Sequence, residues 1–174
     1  MAFLVTLLLT VLYFNFTRYK IVIHTTIINA KMACIEFSSK TATHKELSNF
    51  WPAPFELGGR WPTVEHYFQA QKFPGDPALQ EKIRGLATPA GAKRVGRTKS
   101  PHFRADWDAV KEDIMLAGLR AKFAQNPSLA LILKGTGDAQ LREKSASDSY
   151  WACGPNGCGR NRMGWLLHIV RKDI

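Results

Sequence analysis

One segment sets an acid, a base and several aromatics at helical spacing: Trp61-Pro62-Thr63-Val64-Glu65-His66-Tyr67-Phe68-Gln69-Ala70-Gln71-Lys72-Phe73. Glu65, Phe68, Gln69 and Lys72 are offset by three, four and seven residues, so a helix brings them to one side. A carboxylate among aromatics is costly to bury unless it has a partner or a task. Glu65 reads either as a reacting carboxylate or as a charge favouring the positive end of a helix dipole, and spacing alone leaves both open. His66 has the right chemistry for proton transfer near neutral pH. Its place next to Glu65 points it elsewhere, so it is not expected to carry a reaction.

The element that positions Glu65 is expected to start at Pro62 and Thr63. A proline tolerates the first turn, and a threonine oxygen can cap free amides. No further Gly or Pro occurs until Pro74, which stops the run. Other helices are announced by a capping residue, a proline and a closing glycine. Asp76-Pro77 to Gly85, Thr88-Pro89 to about Gly96, and Asn126-Pro127 to Gly135 follow that pattern. The longest helix is expected from Arg104 or Ala105 to Gln125. Its apolar stripe is read as Trp107, Val110, Ile114, Ala117 and Ala121, joined by Leu119 and Phe123. A last helix, Gly164 to Arg171, carries Trp165, Leu166, Ile169 and Val170. Strand candidates are short: Cys34 to Phe37, Pro54 to Leu57, and Gln140 to Glu143. These elements predict an α+β fold, a mainly helical single domain with a small β-sheet. The Asp148-to-Met163 segment is a long Gly-rich loop, and Tyr150 and Trp151 mark it as a binding loop or lid rather than solvent-exposed disorder.

The chain has 174 residues and a net charge of +10. Residues 1–31 hold Arg18, Lys20 and Lys31 and no acid, which leaves the remainder at +7. A basic surface favours anionic ligands such as nucleotides, sugar phosphates or nucleic acid. The charge is scattered and does not choose among them. Residues 1–31 form an apolar extension, with Ala2 to Phe16 nearly all apolar. The run is short for a bilayer span and lacks a clear cleavage signal. It reads first as an over-extended start ahead of Met32, and second as a targeting or membrane segment. Residues 32–174 form the domain. Cys34, Cys153 and Cys158 make an odd set, which argues against a disulfide framework and for a cytoplasmic, reducing setting. Cys153 and Cys158 lack a second pair of ligands nearby, so no metal site is expected.

Four ordered segments resemble the NADAR (YbiA-like) family. The Trp61–Phe73 run is similar to its signature. Leu47-Ser48-Asn49-Phe50 resembles the S/D-N-F segment ahead of that helix. Trp107 to Phe123 resembles the central helix. Asp148-Ser149-Tyr150-Trp151 with Asn161-Arg162-Met163-Gly164 resembles the C-terminal D-x-Y-W-G and N-x-L-G elements. The likeness spans about Ile35 to Ile174. Two departures stand out: Ala152 replaces the usual Gly after Tyr-Trp, and Met163 replaces Leu. An alanine there adds a methyl group where the loop would use glycine conformations.

The resemblance implies an N-glycosidase that cleaves between ribose C1 and a nitrogen, without cofactor or metal. Its substrates would be phosphoribosylamino-pyrimidine intermediates of riboflavin synthesis or ADP-ribose on a nucleobase, either small or in nucleic acid. No obligatory protein partner and no membrane partner is expected. Such cleavage builds positive charge on the ribose ring, which a nearby carboxylate stabilises. Glu65 is the first candidate and Asp148 the second. Asp106, Asp108, Glu112 and Asp113 read as solvated helix charges. Substrate-binding candidates are Lys72, Lys111, Asn161 and Arg162 for phosphate, Phe50, Trp107, Tyr150 and Trp151 for stacking, and Asn49 for a ribose hydroxyl. The competing class is a non-catalytic ADP-ribose or nucleotide-binding module, against which the pair of carboxylates argues.

Overall fold

A computed structural model of the chain describes residues 33–174. The expectations about residues 1–31 therefore lie outside the described residues. Helices dominate: α1 (Val64–Ala70), α2 (Pro77–Arg84), α3 (Pro89–Val95), α4 (Trp107–Gln125), α5 (Pro127–Gly135) and α6 (Arg162–Asp173). Strands are β1 (Cys34–Phe37), β2 (Phe55–Glu56), β3 (Arg60–Trp61) and β4 (Gln140–Glu143), and a 3-10 turn covers Lys45–Leu47. The α+β expectation holds.

Local rules set most helix starts. Thr63 accepts a hydrogen bond from the His66 N–H, Asp76 from that of Leu79, and Thr88 from that of Gly91. Proline occupies the first turn of α2, α3 and α5, where its missing N–H leaves no bond unmade. Asn126 differs from expectation. Its amide donates to the carbonyls of Lys122 at 2.8 Å and Pro54 at 3.2 Å. It therefore closes α4 and ties it to the β2 region instead of capping α5.

The strands form two separate pairs. β1 and β4 run parallel, with Cys34 opposite Gln140 and Phe37 opposite Glu143. β2 and β3 form a hairpin, with Phe55 opposite Trp61. Its turn places Gly58 and Gly59 at φ +61° and +128°, where a Cβ would be strained. β3 was not foreseen, because two residues carry no periodic signal.

Every residue of α1 is buried. Trp61 and Phe55 meet Tyr67 edge-on at 5.5 and 6.1 Å. Of the stripe expected on α4, Leu119 and Phe123 are buried and the rest is not fully so. The buried residues are Met115, Gly118, Leu119, Lys122 and Phe123. Ile114, Ala117 and Ala121 flank that face, half-buried. The reason is the close approach of α1 at Gly118, where a Cβ would lie 3.0 Å from the Tyr67 ring and 3.1 Å from Val64. That contact rotates α4 so that a lysine faces inward.

The 148–163 segment is built, not loose. The N–H groups of Arg160, Asn161, Arg162 and Met163 donate to the carbonyls of Ser149, Ala152, Tyr150 and Trp151. Ala152 is buried, and the non-glycine residues at positive φ among those described are His44 and Asn161. The extra methyl at Ala152 thus meets no backbone strain.

Candidate active site

α1, the turn ahead of it, α4 and the 148–163 segment enclose a cavity of about 520 Å³. Glu65 stands in the first turn of α1, only 3% exposed. Its N–H donates to the Asn49 carbonyl at 3.0 Å. Asn49 Nδ2 donates back to Glu65 Oε2 at 2.5 Å, and Gln69 Nε2 donates to Oε1 at 2.8 Å. Both carboxylate oxygens are therefore held. Burial holds the Glu65 carboxyl above the usual carboxylate range, against the Gln69 bond and the charges of Lys93, Lys72 and Arg97, which pull it down.

A second carboxyl faces the same cavity. Glu143 ends β4 and lines the wall with Glu65 and Asp148. Burial pushes it up to about 8, the Asp148 and Glu65 charges add to the rise, and Lys93 opposes it. The residue as a whole is half-buried, although its carboxyl is enclosed by protein. Glu143 was read only as the end of a strand. Nothing local marks it, since its place depends on β1–β4 pairing and on the segment that follows.

Asp148 lines the cavity but is occupied. Its Oδ1 accepts the N–H groups of Tyr150 at 3.0 Å and Trp151 at 2.8 Å, which folds the aromatic pair over the opening. Aromatic walls come from Phe68 against Trp107 at 4.8 Å, Phe68 against Trp151 at 5.4 Å, and Tyr150 against Trp151 at 5.2 Å. Phe50 lines the far side, with Lys93 Nζ 5.7 Å from its ring.

Cations rim the cavity. Lys72 Nζ donates to the Gly96 carbonyl at 3.2 Å and lies 5.3 Å from the Trp107 ring. Burial lowers its pKa, against the pull of Glu65. Lys111 lies 4.2 Å from the Tyr150 ring and pairs with Asp108 at 2.6 Å. Lys93 and Arg97 also line the cavity, and neither was foreseen. They sit on α3 and just after it, a helix whose ends were legible but whose packing on α1 was not.

Asn161 and Arg162 do not reach the cavity wall. Asn161, at φ +51°, accepts the Glu143 N–H at 2.9 Å and donates to the Leu141 carbonyl at 2.7 Å. It holds β4, and with it Glu143, from behind. Arg162 grips both oxygens of Glu112, and the Tyr150 hydroxyl donates to the same carboxylate at 2.5 Å. Glu112 is therefore no solvated helix charge but a clasp between α4, α6 and the aromatic segment. His66 is structural too, set between the Thr63 hydroxyl at 2.8 Å and the Leu86 carbonyl at 3.0 Å.

Among the described residues, no group of three His, Cys, Asp or Glu side chains is placed to hold a metal. Among those residues, too, no helix is long and apolar enough to cross a membrane.

Known proteins resemble this chain in sequence and in fold. N-glycosidase YbiA of Escherichia coli is 43% identical over 141 residues, covering 80% of this chain and 88% of that protein. An N-glycosidase of Nostoc punctiforme is 42% identical over 130 residues, covering 73% and 83%. The chloroplastic riboflavin biosynthesis protein PYRR of Zea mays is 36% identical over 142 residues, which cover 73% of this chain and 23% of that one. The NMR structure of E. coli YbiA superposes with a TM-score of 0.74 at 42% identity, covering 81% of this chain and 84% of that one. The family profile of the NADAR domain matches residues 36–174, which contain Glu65, Glu143 and the whole cavity. By sequence and by fold alike, the chain belongs to the NADAR domain family.

Proposed function

We propose that the chain is an N-glycosidase that hydrolyses the C1–N bond of a phosphorylated ribosyl compound. The observation that carries this reading is the pair of carboxyls, Glu65 and Glu143, facing one cavity walled by aromatics and rimmed by cations. Burial and the Asp148 and Glu65 charges raise Glu143 to about 8, so it holds a proton at neutral pH. We assign the charge to Glu65, whose two oxygens accept amide donors and whose burial is opposed by three cations. Glu143 keeps the proton, with two carboxylates nearby and Lys93 opposing.

That division suits the chemistry. As the C1–N bond breaks, the ribose ring becomes positively charged, and the fixed Glu65 carboxylate stabilises it. Glu143 gives its proton to the leaving nitrogen and, once ionised, takes a proton from the attacking water. Asp148 contributes by fastening Tyr150 and Trp151 and by keeping Glu143 protonated. Trp107, Trp151, Tyr150 and Phe50 offer faces to a base, and Lys72, Lys93, Arg97 and Lys111 offer charge to a phosphate. The cavity volume fits a small molecule. The naming of relatives for N-glycosidase activity and riboflavin biosynthesis supports a riboflavin-pathway phosphoribosylamino-pyrimidine as substrate. ADP-ribose on a guanine base presents the same bond and is the rival.

The test incubates the full chain and its Glu65→Gln variant with both substrates and follows release of ribose 5-phosphate or ADP-ribose by mass spectrometry. Wild type releases product, and the variant is slower by at least about a hundredfold, the scale expected on losing a fixed electrostatic partner. The melting temperature stays close to wild type. Binding without release of either product refutes the enzyme reading and points to a binding module.

A further inference from the structure

Lys122 lies wholly inside the protein, on the buried face of α4. A buried amine is costly unless its N–H groups are satisfied, and an apolar side chain of similar volume is usually as stable or better there. Packing therefore does not explain a lysine at this place. Its Nζ has two acceptors, the carbonyls of Glu46 at 2.6 Å and Ser48 at 2.8 Å. Glu46 lies in the 3-10 turn, and Ser48 follows it and leads into Asn49. The turn also has local bonds, from the N–H of Leu47 to His44, of Ser48 to Lys45 and of Trp51 to Ser48, each at 3.1 Å, and Leu47 anchors it in the core. Burial lowers the Lys122 pKa to about 7. Two acceptors satisfy the neutral amine fully, so the clamp persists in either protonation state.

We propose that Lys122 is a positioning residue of the reaction, which pins the Ser48–Asn49 peptide so that Asn49 holds Glu65 in place. The chain of contacts is continuous: Lys122 Nζ to the Ser48 carbonyl, the next residue's amide to Glu65 Oε2 at 2.5 Å, and its carbonyl to the Glu65 N–H at 3.0 Å. A displacement of about 1 Å at a reacting group costs roughly a hundredfold in rate, so a loosened turn is felt in turnover. The inference rests on Glu65 as the reacting carboxylate.

The test compares Lys122→Met, Asn49→Ala and the double variant in the full chain, with kcat and KM measured on the phosphoribosylamino-pyrimidine and on ADP-ribosylated guanine. The Asn49 side-chain amide is followed by 1H–15N NMR in the same proteins. Lys122→Met is expected to lower kcat about tenfold or more, with KM changed less than about twofold. The Asn49 amide signal shifts, and in the Asn49→Ala background Lys122→Met changes kcat less than about twofold. Lys122→Gln, which keeps one donor in reach of the turn, restores part of kcat. A Lys122→Met kcat close to wild type, or effects that multiply in the double variant, overturns the proposal. If neither Lys122→Met nor Lys122→Gln folds, Lys122 serves stability and the proposal falls. A wild type that releases nothing from either substrate refutes the glycosidase reading, whereas an unshifted Asn49 amide refutes the clamp alone.

Discussion

Replacing Glu143 by Gln separates the proton that the carboxyl carries from the space that it fills. Glutamine mimics the protonated acid at every pH but gives no proton away. In the folded protein the Glu143 pKa is raised from 4.5 to about 8. The unfolded chain therefore loses this proton first, and wild-type stability falls as pH rises from about 4.5 and is fully reduced above about 8. Full conversion of that difference sets a ceiling of about 5 kcal/mol. Glu143 as a whole is half-buried, and screening leaves about 1–2 kcal/mol. For a domain of this size that is roughly 5 °C in melting temperature. The expected result is a Glu143→Gln protein equal to wild type at pH 4 and about 5 °C more stable at pH 9. Its kcat should fall by about a hundredfold or more, the usual contribution of a general acid. Wild-type kcat should decline above about pH 8 as Glu143 ionises. Differential scanning fluorimetry across pH 4–9 and single-turnover product release give both readouts. A stability difference that does not change with pH refutes the protonated Glu143, and a variant with near-normal kcat refutes its role as acid.

Lys111→Ala removes a cation at the cavity rim and should raise KM about fivefold for a phosphorylated substrate, equivalent to about 1 kcal/mol. The dephosphorylated analogue should be much less affected, and equal changes in steady-state assays would contradict a phosphate contact. Gly96→Ala builds a Cβ 2.0 Å from Gln69 Oε1 and 2.8 Å from its Cβ and Cδ, at an ordinary backbone φ of −65°. Gln69 must then leave Glu65. Loss of a hydrogen bond to a charged group, worth about 1.5–3 kcal/mol, should move the acid limb of kcat/KM up by about one pH unit or more. An unchanged acid limb in the pH–rate profile would show that Gln69 does not tune Glu65.

Much of this protein is legible one helical turn at a time. Thr63, Asp76 and Thr88 cap their helices because a side-chain oxygen meets an N–H three residues on, a bond that short-range geometry determines. Glu65 stood out for a related reason: its face of α1 is read from spacing alone. Phe50, Lys72, Trp107, Lys111, Tyr150 and Trp151 line the cavity. Asn49 was read as a ribose contact or a turn cap; it lines the cavity, and its Nδ2 donates to Glu65.

The sequence by itself determined most helices, their starts and one candidate carboxylate, because those follow from bonds and side-chain spacings within a few residues. Only the tertiary structure decided what meets that carboxylate. Parallel pairing of β1 with β4, from opposite ends of the domain, brings Glu143 to the cavity. Docking of α3 on α1 adds Lys93 and Arg97, and the Gly118 contact turns Lys122 inward. Arg162 likewise does not line the cavity and pairs with Glu112 of another helix. Such outcomes depend on which surfaces exclude water together and which buried charges find partners, and neither is encoded in the spacing of neighbouring residues.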